Sequence, residues 1–147
     1  MSKAVVLDGK SVAGRVRAEV KIRAAEFTRT RGRPPGLAVV KVGSDPASAV
    51  YVRNKRLACE EAGIKSFAFD LAQGISRADL LAQVNALNRD PLVDGILVQL
   101  PLPAGLDSNE VMDLVDPAKD QSYVLTSAQL SHAMFPLGDT PKDQVRA

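Results

Sequence analysis

Tryptophan is absent from the 147 residues, cysteine and histidine occur once each, and aromatic residues make up only 4%. Each scarcity closes a route. With a formal net charge of +2 and few rings for bases to stack on, nothing marks a nucleic-acid binder. Cys59 alone cannot close an intrachain disulfide, and no apolar run approaches the roughly 18 residues of a membrane span. The start is a short mixed segment containing Asp8 and Lys10 rather than the apolar core of a signal peptide, so a cytoplasmic location is expected. His132 has no carboxylate or cysteine spaced as a co-ligand, which argues against a metal site or a catalytic triad. Neither G-x-G-x-x-G nor a Walker lysine motif occurs, which removes two common phosphate cradles.

What remains is the composition of an ordinary soluble domain, 46% hydrophobic and 24% charged. Residues 4–8 read as a short strand or extended lead-in, broken by Gly9. From Ser11, Val12, Val16, Val20 and Phe27, with Ala13 and Ala24, fit a helix with one buried stripe. Its other faces carry Arg15, Arg17, Lys21, Arg23 and Arg29, a solvated basic surface. The run Arg31 to Gly36, with paired prolines, ends it. Leu37–Val42 reads as a buried strand, and Asp45 and Pro46 together signal the start of a helix that Gly63 stops. A second strand follows at Ile64–Leu71. Ser76 with Asp79 opens a third helix bearing Leu80, Leu81, Val84 and Leu87, which Asp90-Pro91 closes. Val93–Leu100 is the third strand, and Asp107 or Ser108 caps a short helix through Met112 and Leu114.

Strand, helix, strand, helix, strand in this order predicts an α/β fold, with helices flanking a mainly parallel sheet in three layers. Residues 1–120 form that domain. Residues 121–147 are expected to form a divergent, weakly structured tail in which only Leu125–Met134 hints at a helix.

In such a sheet ligands bind beyond the carboxyl ends of the strands, where Gly43–Tyr51 and Gln99–Pro103 both fall. Tyr51 and Lys55 are four residues apart and share a helix face, a flat ring one turn before a movable ammonium. A lysine in mid-helix is ordinarily solvated. Here an uncharged amide, Gln99, is expected to approach from the neighbouring rim, and an amide orients a partly desolvated lysine without locking it in an ion pair. Such a lysine can act as a general base. Asp94 reads as a turn residue at the head of its strand, and Cys59, beside Ala58 and Ala62, as a small core hydrophobe.

Taken together, LDGK at 7–10, KVGSDPAS at 41–48, YVRNK at 51–55, ACEEAGI at 58–64 and DGILVQLPLP at 94–103 resemble the bifunctional methylenetetrahydrofolate dehydrogenase/methenyltetrahydrofolate cyclohydrolase family, in register from about Val5 to Asp120. The resemblance implies an amino-terminal folate-binding α/β domain, with a Rossmann-type NADP domain normally following and the active site in the cleft between. It implies that Tyr51 stacks on the folate, that Lys55 is the catalytic lysine of the cyclohydrolase step with Gln99 beside it, and that Leu100 and Pro101 line the pocket. Tetrahydrofolate derivatives are the implied substrates, interconverted between 5,10-methylene, 5,10-methenyl and 10-formyl forms. A homodimer is an open option. No metal is implied.

The pattern then changes. Where the family continues with Val-Asp-Gly, whose Asp contacts the pterin, this chain has Gln121, Ser122 and Tyr123. No nucleotide-binding domain is expected within the 147 residues, so NADP binding and dehydrogenase activity are not expected of this chain by itself. A truncated or inactive folate-binding remnant, or a module pairing with a full-length relative, fits the same pattern.

Overall fold

The computed structural model describes residues 8–120; the expected lead-in strand before Asp8, Gln121–Tyr123, the helix proposed at 125–134 and His132 lie outside them. The elements follow in the order α1 (Gly9–Arg31), β1 (Gly36–Val42), α2 (Pro46–Ala62), β2 (Lys65–Leu71), α3 (Arg77–Arg89), β3 (Gly95–Val98) and α4 (Ser108–Leu114). All strand pairings are parallel, in the sheet order β2-β1-β3, with Val40 opposite both Phe69 and Val98. The chain therefore steps from β1 to one side and then crosses to the other. Right-handed connections consequently put α2 on one face of the sheet and α3 on the opposite face.

Alternation along the strands sorts the side chains. Ala38, Val40, Val42, Ile96 and Val98 meet Leu80, Val84 and Leu87 of α3 and Val111 of α4 in one apolar cluster. The expected cap of α3 is present: the Ser76 hydroxyl accepts the Asp79 N–H at 3.0 Å and donates to the Asp79 carboxylate at 2.7 Å. At its other end the Lys119 ammonium donates to the carbonyls of Leu87 at 3.2 Å and Asp90 at 2.9 Å, satisfying acceptors that a helix terminus leaves open. Arg77 of α3 and Glu110 of α4 join the two helices through paired hydrogen bonds.

Three expectations are revised. The first helix begins at Gly9, earlier than Ser11, because the Asp8 side chain accepts the Lys10 N–H and caps it. Its stripe is not buried: Val12 and Val16 are 43% and 47% exposed, and only Ala24 is buried. The physical reason is that α1 packs chiefly on α2, itself the outer layer of the sheet, so no further layer covers it. The third strand is shorter than 93–100, since Val93 closes a turn onto the Asp90 carbonyl and Pro101, two residues after Gln99, has no N–H to continue the ladder.

Asp94 is more than a turn residue. Its carboxylate accepts two hydrogen bonds from Arg33, at 2.7 and 2.9 Å, and one from the Gly36 N–H at 2.8 Å, tying the entry of β1 to the entry of β3. Burial pushes this carboxyl up, but the Arg33 hydrogen bonds, the Gly36 N–H and the charges of Arg33 and Lys119 outweigh it and hold it below the usual carboxylate range. A side chain at Gly36 has no room, because its Cβ would stand 2.0 Å from the Leu92 carbonyl oxygen.

Candidate active site at the carboxyl rim

The direction of the chain reverses at β1, and the crevice beyond the ends of β1 and β3 is where an open α/β sheet accepts a ligand. Gly43 turns the chain out of β1. Its φ is +83°, its N–H donates to the Leu71 carbonyl at 2.9 Å, and a Cβ there would meet the Gln73 side chain at 2.7 Å. Asp45 then caps α2, accepting the Ser48 N–H at 2.7 Å, and the hydrogen bonds from the Ser48 backbone and hydroxyl draw its carboxyl below the usual range. With Pro46 in the first turn and left-handed Gly63 at the end, α2 is fixed at both termini.

This registration sets the face that carries Tyr51 and Lys55. The Lys55 ammonium donates to Gln99 Oε1 at 2.6 Å, a contact between residues 44 apart in sequence. The Gln99 Nε2 donates to the Leu100 carbonyl at 2.9 Å, and the Gln99 N–H donates to the Val40 carbonyl at 2.8 Å. The amide is thereby held from behind, with its oxygen turned to the lysine. Burial alone lowers the Lys55 pKa, and among the described residues no carboxylate pairs with the ammonium. Tyr51 is 60% exposed and Leu100 42%, with Pro101 exposed beside it. The structure thus joins Lys55 directly to Gln99 and leaves Tyr51, Leu100 and Pro101 open on the same rim.

Sequence reasoning passed over two nearby features. Ser48 is 4% exposed, and its proximity to the cap was readable from its position three residues after Asp45. Lys41 pairs with Asp70 at 3.1 Å across neighbouring strands. The signal was the alternation itself, which puts a charged residue between Val40 and Val42 on the face away from the core cluster. Cys59 is buried as expected, and its thiol is pushed up first by burial and then by Glu60.

A groove of about 380 Å³ between α1 and α2 is lined by Arg17, Ala18, Lys21, Ala58, Glu61 and Ala62, and shares no residue with the Lys55–Gln99 pair. Among the described residues no group of three His, Cys, Asp or Glu could hold a metal, and no helix is long and apolar enough to cross a membrane. The rim loops do not fit a dinucleotide. Neither is a glycine-rich turn, and the α2 terminus that would face a pyrophosphate is already occupied by the Asp45 carboxylate.

The family model described as the catalytic domain of tetrahydrofolate dehydrogenase/cyclohydrolase matches residues 7–121. The chain belongs to this family. It is 50% identical over 139 residues to a bifunctional protein FolD of Rhodopseudomonas palustris strain HaA2, covering 91% of this chain and 46% of that protein. With the FolD of Bordetella avium strain 197N it shares 56% identity over 115 residues, 78% of this chain and 40% of that one. The crystal structure of the Campylobacter jejuni FolD methylenetetrahydrofolate dehydrogenase/cyclohydrolase superposes with a TM-score of 0.76 at 38% identity, covering 87% of this chain and 45% of that chain. The Trypanosoma brucei enzyme, complexed with NADP cofactor and inhibitor, superposes with a TM-score of 0.75 at 32% identity, covering 90% of this chain and 44% of that chain. The chain therefore spans less than half the length of these relatives.

Proposed function

We propose that this chain supplies the folate-binding and water-handling half of a tetrahydrofolate dehydrogenase/cyclohydrolase site, acting in folate one-carbon metabolism in the cytoplasm. The observation that carries the reading is the 2.6 Å Lys55–Gln99 hydrogen bond beside the open ring of Tyr51. Tyr51 stacks on the folate ring system, while Leu100 and Pro101 line the pocket wall. Lys55 is the base: desolvation favours its neutral amine, which takes a proton from water adding to the one-carbon bridge of 5,10-methenyltetrahydrofolate. The bridge carbon then parts from N5 as the hydroxyl proton of the adduct passes to N5, giving 10-formyltetrahydrofolate, and the proton left on Lys55 passes to solvent. Gln99 keeps the amine aimed throughout.

Oxidation of the 5,10-methylene compound needs a dinucleotide such as the NADP bound by the trypanosomal relative. The described residues do not fit one, so no step of this chain is routed through it. The test follows hydration of 5,10-methenyltetrahydrofolate by the purified chain, alongside its affinity for folate. Lys55→Met is expected to lower the rate by roughly 100-fold or more while sparing binding; a Lys55→Met chain that hydrates at the parental rate overturns the assignment.

A second reading, a folate-binding remnant or a module docking on a second copy or a full-length relative, is favoured by the exposed apolar side chains Val50, Leu57 and Leu100. Folate binding with no hydration in the parental chain would select it.

A further inference from the structure

We propose that Asp70 is a positioning residue for the Lys55–Gln99 pair: it holds the Lys41 ammonium over β2, so that Gln99 Oε1 serves Lys55 alone. The proposal rests on the reading of Lys55 as the working base. Lys41 and Asp70 are directly opposite in the β1–β2 register and stand 3.1 Å apart. On the other side of β1, Val98 is the last paired residue of β3, opposite Val40, and the Gln99 N–H donating to the Val40 carbonyl completes that pair. Gln99, the residue after Val98, thus leaves β3 on the side of Lys41, the residue after Val40. Val40, Val42 and Val98 point into the core cluster, so their neighbours Lys41 and Gln99 share the opposite face, over which α2 brings Lys55.

Three polar side chains therefore cross the rim in a row, Asp70, Lys41 and Gln99, with Lys55 above the last. Asp70 and Gln99 flank Lys41 on the two neighbouring strands, and the Lys41 side chain is 18% exposed. Turned toward β2 it is neutralised; turned toward β3 it competes for the Gln99 oxygen and sets a second positive charge beside Lys55. With Asp70 open to solvent, the Lys41–Asp70 ion pair adds only modestly to stability. Its effect is directional. On α2, Tyr51 and Cys59 lie one turn before and one turn after Lys55, and Arg17 and Lys21 of α1 meet α2 further along, at the groove with Ala58 and Glu61.

Competitive acetylation with trace acetic anhydride across a pH series, read by mass spectrometry on the peptide containing Lys55, reports how readily that amine loses its proton. Asp70→Asn is expected to raise Lys55 labelling at mildly alkaline pH by about threefold or more, because a like charge beside an ammonium favours its neutral form. The double variant Asp70→Asn/Lys41→Met is expected to return Lys55 to the parental profile. Unchanged Lys55 labelling in Asp70→Asn overturns the proposal. So does a rise that persists in the double variant, since that would mark general loosening rather than a freed Lys41. Labelling requires neither folate nor turnover, so failure of the hydration assay would count against the functional reading and leave this result standing.

Discussion

Toward α3 and α4 the sheet presents Ala38, Val40, Val42, Ile96 and Val98, none more than 4% exposed, against Leu80 and Val84 at 0%. Toward α1 and α2 it presents buried Val39 and half-buried Leu37 and Leu97, with polar side chains at the carboxyl rim, and the outermost helix of that side buries only Ala24. One face is closed and apolar throughout; the other is covered by α2 but open and chemically equipped at its rim. The closed face supplies the burial that holds the strands in register. That leaves the open face free to keep a lysine without a counter-charge, an arrangement that costs stability but makes a base.

The contrast can be tested from its strongest consequence down. Leu80→Ala, in the closed face, is expected to cost about 3 kcal/mol in urea denaturation, through lost burial and the cavity left behind; a loss under about 1 kcal/mol would mean the closed face is not what holds the fold. Asp94→Asn removes the charged tie between the entries of β1 and β3 and is expected to cost about 1–2 kcal/mol at neutral pH, discounted because a third of the side chain is exposed to solvent. Because the folded carboxyl titrates below its unfolded value of 3.8, this stabilisation is present above that value and disappears as pH falls through the folded pKa. Parental and variant melting temperatures should therefore converge in acid.

Lys55→Met should do the opposite on a smaller scale. The folded lysine titrates below its unfolded value of 10.5, so the unfolded chain binds more protons in between, and the parental chain gains stability as pH rises through that window. The variant is expected to melt slightly higher at neutral pH, with the gap closing toward 10.5; a gap that ignores pH would show that desolvation of the ammonium is not its source. Smallest of all, Val16→Ala on the exposed side of α1 is expected to stay within about 0.5 kcal/mol of the parent by calorimetry.

Local signals were the legible ones. Asp45, Pro46 and Gly63 bound α2 because cap chemistry depends only on adjacent residues, and Ser76 with Asp79 marked α3 for the same reason. The α/β class followed from the order of strands and helices, and the rim rule of open sheets brought Gln99 to Lys55 across 44 residues. Burial was less legible. The apolar spacing of α1 shows which residues share a face, but not whether another layer exists to cover that face, and Val12 and Val16 are open. The partners of Asp94 were hidden because Arg33 lies 61 residues earlier, and no local pattern encodes that meeting.

The central position of β1 also bears on how the site comes into being. Gly36 pairs with Lys65 and Leu37 with Gly95, so both neighbours of β1 lie well downstream, and the partner carrying Gln99 is the more distant. Closing the longer loop costs more chain entropy, so the β1–β2 pair is the natural early assembly, with β3 docking after it. Lys55 would then meet its amide only on the native side of the folding barrier. On that order of events Gln99→Ala speeds unfolding and leaves the refolding limb of a chevron plot where it was; slowed refolding would instead place the two residues together in the transition state.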